Sequence, residues 1–149
     1  MKDLRTKIVN LLKDGSCTPL IAQIARKLHE PSTTIHYNIK RLEQDGVIKR
    51  YKAVLDHRLL GQLFCAYILI NLAPSQYSDP ERVGKALLRS DEVESVDICT
   101  GEWELILKVR TRDVDEYYAF VKRVLAKEGV TNITTLTSLK QLKADFIAT

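Results

Sequence analysis

The sequence holds no long hydrophobic run, no paired cysteines and no clustered histidines. Its most continuous apolar stretch, Leu63 to Leu72, is broken by Asn71 and falls far short of the roughly 18 residues a membrane-spanning helix needs. Cys17, Cys65 and Cys99 stand far apart, which argues against a disulfide framework or a thiolate metal site. Reduced thiols are expected instead, with Cys65 and Cys99 packed in strands. His29, His36 and His57 all fall in the first sixty residues, and none stands four residues from a second ligand. Glycine-rich phosphate loops, a His-Glu-x-x-His motif and a Ser or Cys in a nucleophile setting are all missing. The carboxylates Glu102 and Glu104 share a strand face at i,i+2 but have no visible third partner. No catalytic residue, metal or cofactor is therefore expected, and the chain does not read as an enzyme.

What is present is ordinary for a globular protein: 149 residues, 45% hydrophobic and 28% charged, enough for one large domain or two small ones. The net charge of +4 becomes informative when the chain is divided. Residues 1–60 carry 12 Lys+Arg against 6 Asp+Glu, whereas residues 61–149 carry 11 against 13. One end is suited to a polyanion and the other is not. Met1-Lys2-Asp3-Leu4-Arg5 leads straight into a charged helical pattern, so a cytoplasmic chain without a membrane partner is expected.

Leu4, Ile8, Leu11 and Leu12 form the stripe of an amphipathic helix that Gly15 ends. Thr18-Pro19 reads as the capped start of a second helix carrying Ile21, Ile24, Ala25 and Leu28. After His29-Glu30-Pro31, Ser32 is the expected cap of a third helix with Ile35, Ile39 and Leu42 on one face. Three short helices, the last two joined by a tight turn, make a helix-turn-helix. Opposite Ile35, Ile39 and Leu42 the third helix presents Thr33, Tyr37, Lys40 and Gln44, flanked by Thr34, His36 and Arg41. None of these is acidic, and the acids Glu43 and Asp45 are confined to the C-terminal end. Such a face suits double-stranded DNA, with Ser32 among the contacting residues, Thr33, Thr34, His36 and Tyr37 near base edges and Lys40 and Arg41 mainly on phosphates. The β-rich segment Val47 to Leu55, carrying Lys49, Arg50 and Lys52, reads as a wing strand or hairpin touching the backbone. RNA binding lacks the exposed aromatic pairs that stack on bases.

A polar stretch, residues 53–62, reads as a hinge between a winged helix-turn-helix domain over 1–52 and a second domain over 63–149. The second domain is expected to run strand (Phe64–Leu72), helix, strand (Val93–Thr100), strand (Glu104–Arg110), helix and strand (Ile133–Leu142). Ser78 with Glu81, and Asp113 with Glu116, are the expected capping pairs. In the middle strand Val93, Ser95, Asp97 and Cys99 alternate against Glu94, Val96 and Ile98. The order βαββαβ is the ferredoxin-like pattern, so the fold class is α+β. Both faces of the first strand are apolar, Ala66, Ile68, Ile70 and Leu72 on one and Cys65, Tyr67 and Leu69 on the other. A homo-dimer through this domain is expected to cover the face the helices leave open.

The runs Ile21-Ala22-Gln23-Ile24-Ala25-Arg26-Lys27-Leu28, Ser32-Thr33-Thr34-Ile35 and Ile39-Lys40-Arg41-Leu42-Glu43-Gln44-Asp45-Gly46-Val47-Ile48 with Tyr51 resemble the leucine-responsive and asparagine-synthesis regulators, the Lrp/AsnC family. The resemblance extends through the second domain to the Gly-acidic-aromatic-acidic turn Gly101-Glu102-Trp103-Glu104. It implies a prokaryotic "feast/famine" transcriptional regulator that is dimeric and often octameric. It also implies an amino-acid effector held between dimers by Gly101, Glu102, Trp103 and Glu104, facing Thr134, Thr135 and Thr137. Two positions depart from the family pattern: His29 stands where the interhelical turn usually has Gly, and Glu and Trp replace the usual Asp and Phe or Tyr of the second-domain turn. Alternatives remain open at this point. The turn also reads as a plain hairpin whose Trp packs at a subunit contact, and the chain as a low-specificity architectural DNA-binding protein whose second domain serves only assembly.

Overall fold

The computed structural model describes residues 2–127 and 129–143, and the chain divides into two compact units, Met1–Leu55 and Asp56–Thr149. No helix among the described residues is long and apolar enough to cross a membrane. The end of the expected last strand, as far as Leu142, lies within these residues; the six that follow 143 lie outside them.

The first unit contains α1 (Lys2–Lys13), α2 (Ile21–Leu28) and α3 (Ser32–Gln44). Ala25 and Ile35 are its buried apolar residues. The helix starts differ from expectation. Leu20 and Pro31 occupy the N-cap positions of α2 and α3, and neither Thr18 nor Ser32 supplies a capping hydroxyl. The cause at α2 is a preceding turn, in which Ile21 N donates to Pro19 O and Gln23 N to Leu20 O. The chain leaves α2 through His29, at φ 56° and ψ 37°, the one non-glycine residue with positive φ among those described. Histidine enters the left-handed region more readily than branched or bulky residues, so the missing glycine is tolerated. Residues 46–62 contain no strand, which corrects the expected wing strand. This segment is held by Ile48 N, which donates to Leu42 O, and by the approach of Tyr51 to Gly15. Gly15 has φ +96°, and a Cβ there would lie 2.9 Å from the Tyr51 carbonyl oxygen, so both conformation and space require glycine.

The second unit is a four-stranded antiparallel sheet, order β2-β3-β1-β4, built from β1 (Phe64–Leu72), β2 (Val93–Ile98), β3 (Leu105–Thr111) and β4 (Val130–Thr137). Between them run α4 (Pro80–Leu87) and α5 (Val114–Leu125), giving the expected βαββαβ order. Pairing puts Ala66, Ile68 and Ile70 beside Val109, Leu107 and Leu105, and all six are buried with Val83, Leu87, Phe120 and Val124 from the helices. Fully burying a side chain of this size contributes about 1.5–3 kcal/mol, so this layer is the main source of the unit's stability. α4 packs on β2 at Gly84, where a Cβ would sit in van der Waals contact with Val96 Cγ1 at 3.4 Å. Asp113 caps α5 as expected, its Oδ1 accepting from Glu116 N at 2.8 Å. At α4 the cap is Asp79, accepting from Arg82 N, with Pro80 in the first helical position, rather than Ser78.

Two register shifts alter the expected strands. Val93 pairs with Val109 but Ser95 with Lys108, so Glu94 is an extra residue in a bulge. The bulge turns Val93 to the core and Glu94 to the open sheet face, reversing the simple alternation read from the sequence. A second shift lies between Asn71 and Leu72 opposite β4. β4 also ends at Thr137 rather than Leu142, because Thr137 already pairs with Ala66 near the start of β1. One more bond follows, from Ser138 N to Cys65 O, and beyond it Leu139 and Leu142 are exposed.

Candidate nucleic-acid interface and sensing turn

On α3, Ile35 is buried and Ile39 half-buried, whereas Ser32, Thr33, Thr34, His36, Tyr37, Lys40 and Arg41 are all exposed. The helix thus divides between a core side at Ile35 and Ile39 and a polar side free of carboxylates over its first eleven residues, while Leu42, expected in the core stripe, is exposed. The exposed Tyr37 ring stands among hydroxyl and imidazole groups able to donate and accept hydrogen bonds. Lys49, Arg50 and Lys52 are exposed on the segment after α3 and add positive charge.

Sequence reasoning missed the role of Glu43. Its Oε2 lies 2.9 Å from Lys40 Nζ, and its Oε1 accepts from the Tyr51 hydroxyl at 3.0 Å. Hydrogen bonding to Glu43 and its charge raise the Lys40 ammonium above its ordinary range. Reciprocally, the hydrogen bonds from Lys40 and Tyr51 hold the Glu43 carboxyl below its ordinary range. The i,i+3 spacing of Lys40 and Glu43 was a visible signal; the return of Tyr51 was not. Asn38 Nδ2 donates one hydrogen bond to Thr34 O at 2.8 Å.

The second-unit turn is fixed at both ends. Gly101 has φ +114°, a value that favours glycine, and Cys99 N donates to Glu104 O at 2.9 Å. Glu104 N donates to Ile70 O, tying the turn to β1. Where the ladder shifts register, Leu72 N finds Glu104 Oε2 at 2.8 Å, and Asn71 Nδ2 donates to Glu102 O. Gly101 and Glu102 are exposed, while Trp103 and Glu104 are half-buried. The turn therefore has one carboxylate committed to the backbone and one, Glu102, open.

The expected threonines do not form a single wall. Thr134, opposite Leu69, lies on the open sheet face, whereas Thr135 and Thr137, opposite Ile68 and Ala66, have helix-side register. Thr135 Oγ1 hydrogen-bonds the Tyr117 hydroxyl. Thr137 stands four strand residues beyond Ile133, the partner of Ile70 beside the turn, a separation of about 13 Å. Asn71, the anchor absent from the sequence reading, sits opposite Asn132 on the open face with Thr134.

That face also holds an ion cluster. Glu94 lies 2.8 Å from Lys108 Nζ and 2.5 Å from Arg110 Nε, with His57 Nε2 at 3.4 Å. Lys108 is only 1% exposed and Arg110 7%. Burial pushes the Glu94 carboxyl up, but hydrogen bonds and charge from Arg110 and Lys108 outweigh it and hold the group below the ordinary carboxylate range. Among the described residues no group of three or more His, Cys, Asp or Glu side chains could hold a metal ion.

Comparison with known proteins places both units. The family model for winged helix-turn-helix DNA-binding domains matches residues 1–49, and that for the Lrp/AsnC ligand binding domain matches residues 65–147. The HTH-type transcriptional regulator FL11 of Pyrococcus furiosus is 33% identical over 140 residues, 94% of this chain and 90% of that protein. An AsnC family transcriptional regulator from Agrobacterium tumefaciens is 26% identical with a TM-score of 0.79, covering 100% of this chain and 97% of that one. A feast or famine regulatory protein from M. tuberculosis, complexed with L-methionine, shares the fold at 23% identity and a TM-score of 0.77, covering 97% and 95%. A reader and a sensing domain in this order, matched along nearly the whole chain by regulators of one kind, make this chain a member of the Lrp/AsnC family of DNA-binding transcriptional regulators.

Proposed function

We propose that the chain is a sequence-specific regulator of genes of amino-acid or related metabolism, acting in the cytoplasm. On this reading it recognises double-stranded DNA through α3 and responds to an amino-acid effector at the Gly101–Glu104 turn. The observation that carries it is the exposed, acid-free face of Ser32, Thr33, Thr34, His36, Tyr37, Lys40 and Arg41 on the last helix of a helix-turn-helix. Lys49, Arg50 and Lys52 supply further affinity by displacing counter-ions from the phosphates. Effector sensing is supported by the ligand binding domain match and by the L-methionine held by the M. tuberculosis neighbour. In this chain the exposed Glu102 carboxylate and the Trp103 ring would meet the ligand, Glu104 holding the turn in place, and of the β4 threonines only Thr134, on the open face with Asn71, would contribute.

A homo-dimer, assembled further toward an octamer, is part of the same proposal. Tyr67, Leu69, Ile106 and Leu136 lie on the sheet face without helices and retain exposure, which a second copy would remove. Two readers then meet a palindromic site about one helical turn apart, roughly 34 Å.

The test is binding to the DNA upstream of the chain's own gene against random duplex, over a salt series, with and without amino acids. Specific affinity about 10³-fold or more above random supports a regulator, and a shift with amino acids supports sensing. Equal affinity for both duplexes, unmoved by amino acids, refutes it in favour of an architectural protein whose second unit serves only assembly. Tyr37→Ala is expected to relax sequence preference, and Lys40→Ala to weaken all sites about equally. Equal loss of preference in both variants contradicts that division.

A further inference from the structure

A crevice of about 420 Å³ opens in the second unit at the start of β1, between the turns at 57–62 and the chain following β4. Arg58, Arg110 and Lys140 contribute cations to its wall, and among the described residues no carboxylate lines it. Glu94 on β2 is already shared between Lys108 and Arg110, and Asp56 Oδ1 accepts from Arg58 N and Leu59 N at the adjoining turn, so among the described residues cations outnumber acids here. Cys65 also lines the crevice. Burial pushes its thiol up, while Arg110 and Lys108 act in the opposite sense.

The site has the parts that hold an oxyanion. Arg110 is nearly buried and its guanidinium is fixed by donating Nε to Glu94 and Nη2 to Gln141 Oε1, each at 2.5 Å. Gln62, Ser138 and Gln141 add amide and hydroxyl groups to the wall. Ser138 is itself held against β1 by its N–H bond to Cys65 O at 2.9 Å.

We propose that this crevice is a ligand site for a small organic dianion, a phosphate monoester or a short dicarboxylate, gripped by Arg58, Arg110 and Lys140. It is separate from the Gly101–Glu104 turn. Cys65 and Asn71 are six strand residues apart, about 20 Å, with the crevice at one end of β1 and the turn at the other. An anion bound here ties residues 57–62, which follow directly on the reader unit in the chain, to β1 and β3. The site stands whether or not the turn binds an amino acid.

The test titrates the full chain with glycerol phosphate, succinate and uncharged glycerol at fixed ionic strength, by calorimetry and by backbone amide shifts. Saturable binding of at least one dianion but not of glycerol is expected, with shifts centred on Gln62, Cys65, Ser138 and Gln141. Which dianion binds separates the two ligand sources. Arg58→Gln and Lys140→Gln, both at exposed positions, should each weaken binding about tenfold, the loss expected for one charge-assisted hydrogen bond. Absence of saturable heat at millimolar ligand overturns the proposal, as it would if a second copy of the chain filled the crevice. So do shifts confined to Lys49, Arg50 and Lys52, or binding that both variants leave unchanged.

Discussion

Replacing Glu94 by alanine removes the carboxylate that balances Lys108 and Arg110, and the size of the loss follows from their burial. Lys108 is 1% exposed with its ammonium 2.8 Å from Glu94, and Arg110 is 7% exposed at 2.5 Å. Breaking a buried pair typically costs about 3–5 kcal/mol, because the remaining ion is left uncompensated. Glu94 itself keeps about one-fifth of its side chain in solvent, so the lower end of that range, about 3 kcal/mol, is the expected cost. For a unit of this size the drop in Tm is roughly 12–24 °C. Urea unfolding of wild type, Glu94→Ala, Lys108→Met and the double variant measures it. The double variant should recover at least about 1 kcal/mol relative to the sum of the singles. The acid side provides a second check. Because the folded-state pKa of Glu94 lies below its ordinary value of 4.5, its stabilisation is present above that value and is lost as pH falls through the folded pKa. The gap between wild type and Glu94→Ala should therefore close as pH falls below about 4.5. A single variant within about 1 kcal/mol of wild type, or a double variant no better than the sum, refutes the reasoning.

Glu43→Gln should release Lys40 for phosphate, raising DNA affinity a few-fold and steepening its salt dependence by up to about one released ion. Unchanged affinity would show that the pair does not compete with DNA. Gly129→Ala meets two obstacles, φ +92° and a Cβ placed 2.6 Å from Gln76 Cγ. Gln76 is buried and accepts a hydrogen bond from Arg82, so it cannot simply swing away. A loss of about 1–3 kcal/mol in chemical unfolding is expected, and a neutral substitution would contradict the packing described.

Much of the architecture was legible because it rests on short-range pattern. Ile35 and Ile39 of the expected stripe mark the core side of α3, and with it the opposite polar face, whereas Leu42 at the end of the stripe is exposed. Asp113 was recognisable as a cap because its partner N–H is three residues away. Thr18 carries the same kind of signal, yet the turn through Pro19 and Leu20 moved the helix start beyond its reach. The expected strand of the wing is missing for a related reason, although residues 1–49 match a winged helix-turn-helix. β-rich composition marks residues that suit a strand, but a strand needs a partner, and residues 46–62 form none within the chain. The Glu94 cluster was hidden more deeply. Alternation assigns Glu94 to the side of Val96, and only the bulge at Val93/Ser95 brings it to Lys108 and Arg110. A period-of-two reading has no means of detecting an inserted residue. At the Gly101–Glu104 turn, the Gly-acidic-aromatic-acidic run was visible, but the anchoring Asn71 lies thirty-one residues from Glu102 and meets it only through the β1–β3 pairing.

The irregularity between Asn71 and Leu72 constrains how this turn can vary over evolutionary time. Glu104 supplies the acceptor for Leu72 N, so position 104 and the β1–β4 register are parts of one solution. An aspartate at this place would be one methylene, about 1.5 Å, shorter and would fall short of the same N–H from the same backbone. Relatives that keep aspartate should then keep a regular ladder here, and those that gain the shift should gain the longer acid with it. The two traits are expected to change together across an alignment, while the neighbouring aromatic position varies on its own.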